Sequence, residues 1–305
     1  MEFFNSKSTI DFMGARKWTA IFSVFIFVVS IAALLINGLK WGLDFTGGTQ
    51  IEVSYQQAAN LPEIRESLYQ IGFKEAQVVS YGTSKDVLIS IAPRADLNQG
   101  ILVERLMSAL PGATKQRVDF VGPQVGKELA TKGALAIFVS LLATMIYIAM
   151  RFEYRLAVSS AVALIHDPVL ILGVFATFQI EFDLKALAGL LAVIGYSLND
   201  TIVVFDRVRE NFVKIRRSTS IEIMNISINQ TLSRTIMTSV LTLFVVVALF
   251  VYGGETIHGF SLALIIGIVI GTYSSIYVAG ALAVAMGLNR TDFIPTQRRA
   301  TDERP

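Results

Sequence analysis

The sequence predicts an α-helical integral membrane protein with six transmembrane helices and one small ferredoxin-like α+β domain outside the membrane, between helices 1 and 2. Of its 305 residues 53% are hydrophobic and 16% are charged, and the mean hydropathy is +0.58. Soluble domains carry more charge, about 25% of residues. Six apolar runs are each long enough to cross the hydrocarbon core of a bilayer as a helix. The one long polar region follows the first run.

The predicted boundaries follow these apolar runs. The helices are placed at about 18–36, 133–150, 156–178, 186–206, 231–251 and 260–286. Residues 1–17 form the N-terminus, 37–131 the outer domain with its connectors, 206–230 a polar connector and 287–305 a basic, disordered tail. The first run resembles the apolar part of a signal peptide. Its small-x-small tripeptide, residues 30–32, lies inside the run and not after it, which favours an uncleaved helix.

The polar region shows the pattern of a small α+β domain. Strands are predicted at 50–55, 76–81, 86–91 and 115–121, with a turn at 82–85 and amphipathic helices at 61–71 and 97–110. The order β-α-β-β-α-β is that of a ferredoxin-like domain. Ahead of it, Gly47 and Gly48 predict a flexible turn with free backbone N–H groups. The sequence around them lacks the Lys-Ser/Thr ending of a phosphate-binding loop.

The distribution of basic residues predicts the orientation. One side of the membrane carries Lys7, Arg16, Lys17, Arg151, Arg155, Arg207, Arg209, Lys214, Arg216, Arg217 and the tail arginines. The short loops of the other side carry only Lys185. Since basic residues favour cytoplasmic loops, both termini are predicted to be cytoplasmic and the ferredoxin-like domain to lie outside.

Composition excludes several kinds of function. The chain has no cysteine and only two histidines, which argues against disulfides, thiolate chemistry and histidine metal sites. A net charge of +2 gives no basis for nucleic-acid binding. No nucleophile–base pair or metal set is visible, so the sequence predicts neither an enzyme nor a cofactor.

Asp200 is the main functional candidate, because it lies within the apolar run of helix 4. A carboxylate at the centre of a membrane helix costs roughly 2.5–3.5 kcal/mol on insertion scales. Ser197, Asp200, Thr201 and Val204 share one face of a helix. This polar stripe is therefore expected to face protein or water and not lipid.

Arg234 and Thr238 on helix 5 are the predicted partners of Asp200, since all three fall in the cytoplasmic half of the bilayer. Burial penalises an ionised carboxylate, and a nearby guanidinium stabilises it. Helix movement that changes their separation would therefore load or release a proton. The alternatives are a static ion pair that locks the helices together and, for Arg234 alone, a side chain that snorkels to the interface.

His166 and Asp167 in helix 3 form a second, weaker group, with Ser197 and Asn199 in helix 4 as further candidates. A proton relay through this group is one interpretation. In the other, Pro168 kinks the helix and His166 satisfies local polar groups. Both remain open.

Helix 6 carries a packing motif and no chemistry. Gly267 and Gly271 are four residues apart, and Ser274, Ser275 and Ala279 extend the small-residue pattern. Small residues at this spacing let helices approach closely in membranes. The motif therefore predicts a close helix–helix contact.

Four segments together resemble the SecF family of protein-export membrane subunits, which is related to the resistance-nodulation-division exporters. They are residues 42–49 (GLDFTGGT), 121–126 (VGPQVG), 195–207 (GYSLNDTIVVFDR) and 233–239 (SRTIMTS). The resemblance covers nearly the whole chain, from 18 to 286. By it, the family's proton-pathway residues fall on Asp200, Arg234 and Thr238. Pro168 departs from the pattern, in which an aliphatic residue is expected, and this puts a relay through His166 and Asp167 in doubt.

The resemblance also implies partners and a setting. The chain would pair with SecD in a pseudosymmetric twelve-helix unit of the bacterial inner membrane, in contact with membrane lipid. That unit would act with the SecYEG channel, the motor SecA and the exported preprotein, with YajC and YidC as accessory partners. It would use protons moving down the proton-motive force to promote export after the ATP-driven stage.

Two other functions are weighed against this one. The first is a scaffold that stabilises SecD or the channel without moving protons; a near-isosteric Asp200→Asn change should leave a scaffold active. The second is a half-unit of a resistance-nodulation-division exporter. The small outer domain argues against it, because those exporters carry much larger outer loops.

Overall fold

Long helices dominate the structure, a computed structural model that describes residues 10–93 and 99–293. In chain order the helices are α1 (Arg16–Ile36), α2 (Leu43–Thr46), α3 (Leu61–Gln70), α4 (Gln99–Ser108), α5 (Pro123–Arg151), α6 (Tyr154–Phe178), α7 (Leu184–Lys214), α8 (Ser220–Tyr252), α9 (His258–Ser274) and α10 (Gly280–Ala285). The strands are β1 (Lys40–Trp41), β2 (Gly48–Tyr55), β3 (Gln77–Tyr81), β4 (Thr83–Ile91), β5 (Ala113–Val121) and β6 (Glu181–Phe182).

Within the described ranges, six helices are long and apolar enough to cross a membrane: α1, α5, α6, α7, α8 and the segment formed by α9 and α10. In that last segment a π-helical stretch, Ser275–Ala279, joins α9 to α10. The predicted number of spans is confirmed by length and composition. The protein is therefore a multi-pass membrane protein.

Several helices extend beyond the predicted apolar runs. α5 begins at Pro123, before the predicted residue 133. Most of the predicted polar connector at 206–230 is helical, because α7 continues to Lys214 and α8 already begins at Ser220. The loss of apolar character marks where lipid contact ends, and the backbone stays helical beyond it. At the start of α8, a capping box between Thr219 and Glu222 satisfies the first N–H groups.

The start of the predicted disordered tail is also ordered. Arg290–Asp292 forms a 3-10 turn, and Asp292 pairs with Arg155 at the start of α6. Phe293 stacks on Phe212 of α7 with ring centroids 5.0 Å apart. An ion pair and an aromatic contact thus anchor this segment. Residues 294–305 of the predicted tail, and 1–9 of the predicted N-terminus, lie outside the described residues.

The polar region forms a four-stranded sheet in the order β3-β4-β2-β5, with each neighbouring pair antiparallel. Its apolar core combines one face of the sheet with α3 and α4 and includes Ile51, Leu68, Val87 and Leu106. The predicted hairpin is confirmed, because β3 and β4 are antiparallel neighbours, but its turn is shorter than the predicted 82–85, since β4 already begins at Thr83. Gly82 adopts a positive φ of 73°, which lets the chain reverse without a longer loop.

The segment that leads from α1 to the sheet is packed against the rest of the protein, whereas the sequence predicts a flexible turn there. β1 pairs in parallel with β6 from the α6–α7 connection. The Gly47 N–H is not free, since it donates to the Leu43 carbonyl at 2.9 Å. A Cβ on Gly126 of α5 would lie 2.8 Å from the Gly47 nitrogen. The glycines therefore serve a close backbone contact between this segment and α5.

Small residues also set the contact between α7 and α9. A Cβ on Gly267 would lie 2.1 Å from Val193 Cγ2, and one on Gly271 would lie 3.1 Å from Ser197 Cβ. The predicted packing motif is confirmed. It presses α9 onto the same helix that carries Asp200.

Candidate functional site

Asp200 lies at the centre of the helix bundle. Its helix, α7, contacts α6, α8 and α9. Ser197, Asp200, Thr201 and Val204 are all at most 3% exposed. The polar stripe therefore faces protein, as its helical spacing predicts. The surrounding helices shield Asp200 from lipid, and the functional role of the carboxylate stays a prediction.

The Asp200 carboxylate is incompletely satisfied. Among the described residues its Oδ2 is buried without a hydrogen-bond partner. The hydroxyl that interacts with this carboxylate belongs to Ser239 of α8. Ser239 also pairs with Thr272 at 2.8 Å and accepts a bond from the Tyr196 hydroxyl at 3.1 Å. A buried charge with an unpaired oxygen is costly.

The structure does not bring the predicted trio together. Asp200 is buried, whereas Arg234 and Thr238 are exposed on α8. Arg234 attracts Asp200 through its charge at longer range, and the predicted direct ion pair is not formed in the described structure. The Thr238 hydroxyl donates at 3.0 Å to the Arg234 carbonyl of its own helix. The rotation of α8 decides this outcome, because it turns both side chains toward a surface that this chain leaves uncovered.

His166 and Asp167 form a buried polar cluster that joins three helices. Asp167 Oδ2 accepts from Ser197 Oγ of α7 at 2.5 Å and from Ser274 Oγ of α9 at 2.8 Å. His166 Nδ1 lies 3.0 Å from Asp167 Oδ1. The His166 ring stacks on Phe27 of α1. Because Ser197 lies one helical turn from Asp200, the bond from Ser197 connects this cluster to the Asp200 region. A proton-relay role for the cluster stays a prediction.

One other candidate, Asn199, lies outside this cluster. Asn199 is exposed on α7, on the side that faces the uncovered surface. Pro168 lies inside α6, which is helical from Tyr154 to Phe178. In the described ranges no group of three or more His, Asp or Glu side chains could hold a metal ion.

Hydroxyl residues are the part of the site that sequence reasoning missed. The residue pattern does not identify Ser239 and Thr272 near Asp200, or Ser274 beside Asp167, as site residues. Each is a small polar residue inside an apolar run. A hydroxyl residue inside an apolar run does not by itself indicate a site, because such hydroxyls often bond to the backbone of their own helix.

Acidic side chains gather at the N-terminal end of α7. Asp183 caps the helix by accepting from the Ala186 N–H at 2.7 Å, and Asp44 accepts from the Leu184 N–H at 3.1 Å. Burial raises the pKa of Asp183 and of Glu181 above the usual values. The docked segment before the sheet is thus bound to the helix that carries Asp200.

Comparisons with known proteins agree with this architecture. Residues 103–289 match the family described as protein export membrane protein SecD/SecF, C-terminal, and residues 32–59 match the SecD/SecF GG motif. Protein translocase subunit SecF of Vibrio alginolyticus is 50% identical, over 96% of this chain and 94% of the relative. That of Pseudomonas aeruginosa is 44% identical, over 97% of this chain and 98% of the relative.

Two solved structures of SecDF are also similar to this chain. The crystal structure of SecDF from Thermus thermophilus, a translocon-associated membrane protein, is 35% identical with a TM-score of 0.85. The match covers 93% of this chain and 39% of that one. A crystal structure of SecDF in a super-membrane-facing form gives 36% identity and a TM-score of 0.70. This chain thus corresponds to well under half of SecDF. Taken together with the full-length relatives, these matches show that the chain belongs to the SecF family of protein translocase subunits.

Proposed function

We propose that the protein works with SecD as a proton-driven unit of the Sec translocase, promoting export through SecYEG after the SecA-driven stage. Asp200 carries this proposal. It is a buried carboxylate inside a membrane helix, with one oxygen unpaired in the described structure. Intramembrane carboxylates in transport proteins commonly take up and release protons.

The uncovered face of α8 supports a partner subunit. It presents Arg234 and Thr238, which are exposed, and Thr242, which is partly exposed, on an apolar helix. A charged side chain and hydroxyls at this depth are costly in lipid, so another protein surface should cover them. The SecDF chain of similar structure is much longer than its matched part, which leaves room for a second half. We assign this face to SecD, and Arg234 and Thr238 to the shared proton pathway with Asp200.

The orientation belongs to the same proposal. The chain lies in the inner membrane of a bacterial cell, as the family implies. Both termini face the cytoplasm, because basic residues are concentrated in the short segments on the side of the termini. The sheet of β2 to β5 with α3 and α4 then lies outside. The strand order and the two helices on one face support a ferredoxin-like domain. The segment before this domain contacts α5 and the start of α7. Movements of the domain would therefore be transmitted to α7, the helix that carries Asp200.

The test is the rate of preprotein export in cells and in inverted vesicles, with and without a proton-motive force. Asp200→Asn keeps the shape of the side chain but cannot carry a proton, so the part of export that depends on the gradient should be lost. Glu66→Gln, an exposed carboxyl-to-amide change on α3, is the matched control and should export normally. Co-purification with SecD should be unchanged in both variants.

Normal gradient-dependent export by Asp200→Asn would contradict the proton-driven mechanism. That result would favour a scaffold that stabilises SecD or the channel, and the large uncovered apolar faces of α1 and α8 would suit such a role. YajC and YidC, as accessory partners, are part of the same proposal and can be sought by co-purification.

A further inference from the structure

Three carboxylates meet where the chain passes from α1 toward the four-stranded sheet. Asp44 belongs to α2, and Glu181 and Asp183 belong to the connection between α6 and α7. Asp44 Oδ2 accepts from the N–H of Leu184, the first residue of α7, at 3.1 Å. Glu181 accepts from the N–H of Leu43, the first residue of α2. Each segment therefore supplies a hydrogen-bond acceptor to the first turn of the other's helix. We call Asp44, Glu181 and Asp183 the junction carboxylates.

The two segments also touch through their main chains at this junction. β1 pairs in parallel with β6, and the Gly42 N–H donates to the Phe182 carbonyl at 2.9 Å. A Cβ on Gly42 would lie 2.9 Å from Asp183 Cβ and 3.2 Å from Glu181 Oε1. The junction carboxylates are therefore held close together for as long as the two segments stay paired.

Charges of both signs face the junction carboxylates. Lys185 Nζ lies 3.9 Å from Asp183 Oδ2, and Lys40 of β1 attracts Glu181. Burial raises the pKa of Glu181 and of Asp183 above the usual values, and the neighbouring Asp44 adds to the effect on both. The charged or titratable groups that approach from the sheet and from the start of α9 are Glu52, Arg117, Asp119 and His258. Since the closed junction raises these pKa values, it binds protons more tightly than an open junction would.

A groove of about 350 Å³ connects the junction to solvent. It lies between the start of α7 and the sheet face that does not contact α3 and α4, and all three junction carboxylates line it. The hydroxyls of Tyr81 on β3 and Thr256 before α9 are 3.3 Å apart, so the sheet touches the helix bundle here as well. Protons from the medium around the sheet therefore have access to the junction.

We propose that the junction carboxylates form a proton-sensitive clamp, which holds the sheet domain (β2 to β5 with α3 and α4) to the start of α7 more tightly as the medium becomes more acidic. When the carboxylates are ionised, their negative charges repel one another in a partly buried place. Proton uptake removes this repulsion, and the carbonyl oxygens of the carboxyl groups still accept hydrogen bonds. The stabilisation is complete below the ordinary carboxyl pKa values of about 4 and is lost as pH rises through the raised values.

The clamp acts on the helix that carries Asp200, but it does not depend on the proton-driven function. Under the orientation proposed above, the medium that bathes it lies outside the cytoplasm. That is the side from which protons enter an energised cell, so the clamp would close when the membrane is energised and loosen when the gradient collapses.

The test measures how the sheet domain moves relative to the helices. The chain contains no native cysteine, so two spin labels are attached by substitution. Gln77→Cys on β3 and Tyr252→Cys at the end of α8 are exposed positions. The full chain is reconstituted with SecD in lipid nanodiscs, and pulsed electron paramagnetic resonance gives the distance between the labels from about pH 4 to about pH 9. The closed arrangement should gain population as pH falls, by up to roughly tenfold for each unit by which closure raises the pKa of one carboxyl.

Three variants separate the clamp from other effects of pH. Glu181→Gln combined with Asp183→Asn keeps hydrogen-bond acceptors that cannot titrate, so most of the pH dependence should disappear. Lys185→Gln removes a positive charge that favours ionised Asp183, so the transition should move to higher pH. Glu63→Gln combined with Glu66→Gln changes two exposed carboxyls of α3 and is the matched control, which should keep the original pH profile.

A closed population that does not change with pH would overturn the clamp, as would a full pH response in Glu181→Gln with Asp183→Asn. Lys185→Gln retains every carboxylate, so an unmoved transition in that variant counts against the clamp even if the double variant does not fold. The spin-label distances need no proton gradient, so this proposal and the proton-driven function fail separately. Normal gradient-dependent export by Asp200→Asn would refute that function and leave the clamp standing.

Discussion

Replacing Gly267 with alanine should destabilise the bundle at the contact between α7 and α9. The new Cβ would lie 2.1 Å from Val193 Cγ2 and 2.6 Å from its Cγ1. Val193 is fully buried, and valine has essentially one preferred χ1 rotamer in a helix. The side chain therefore cannot swing away without disturbing its own packing.

The expected magnitude follows from two opposing effects. Overpacking a well-packed interior costs typically 1–3 kcal/mol. Alanine in place of glycine returns up to about 1 kcal/mol of helix propensity. Gly267→Ala should thus lower the free energy of unfolding by about 1–2 kcal/mol. Gly195→Ala on α7 is the matched control, because nothing lies within 4 Å of its added Cβ. It should be neutral or slightly stabilising.

The assay is thermal or denaturant unfolding of the purified chain in detergent, followed by helical circular dichroism. A double-mutant cycle with Val193→Ala isolates the clash, since Gly267→Ala should become neutral when the valine methyl groups are gone. We expect a coupling energy between the two sites of about 0.5–3 kcal/mol. Equal stability of the Gly267→Ala and Gly195→Ala variants, or a coupling of zero, would refute the close-packing argument.

Three further predictions concern polar groups. Asp167→Asn replaces a carboxylate that accepts two hydroxyl bonds, and it should cost about 1–3 kcal/mol in the same unfolding assay. Thr219→Ala removes the capping box of α8, and faster hydrogen exchange in the first turn should report a loss of about 1 kcal/mol. Burial raises the pKa of Asp183 in the folded state, so its stabilising effect is complete below the ordinary aspartate value of about 3.9 and is lost as pH rises through the raised pKa. Asp183→Asn keeps the helix cap, so it should flatten the pH dependence of hydrogen exchange at the start of α7. An unchanged pH profile in this variant would contradict the role of Asp183 in that dependence.

Much of the site was visible in the residue pattern. A carboxylate inside an apolar run stands out without any structure, and its helical spacing to Ser197, Thr201 and Val204 identifies the face that must avoid lipid. The burial of all four residues agrees with that reasoning. The glycine spacing of α9 likewise predicts a close helix–helix contact, and the structure makes that contact with α7.

The positions of Arg234 and Thr238 relative to Asp200 were not predictable in the same way. Depth along a helix follows from counting residues, and both helices do pass the same level. The direction of a side chain around the helix axis depends on how each helix is rotated against its neighbours. The packing of α8 turns Arg234 outward, so the ion pair that depth suggested is not formed in the described structure.

The sequence by itself determined that the chain spans a membrane, where its six apolar segments lie, and that Asp200 must be sheltered from lipid. These conclusions follow from local patterns, because transfer free energy and helical periodicity act on neighbouring residues. Only the tertiary structure decided that Ser274 of α9 meets Asp167 of α6, that the Gly47 segment docks on α5, and that the Ser239 hydroxyl of α8 meets the Asp200 carboxylate. Those contacts join residues far apart in the chain, and helix rotation and packing set them rather than the local pattern.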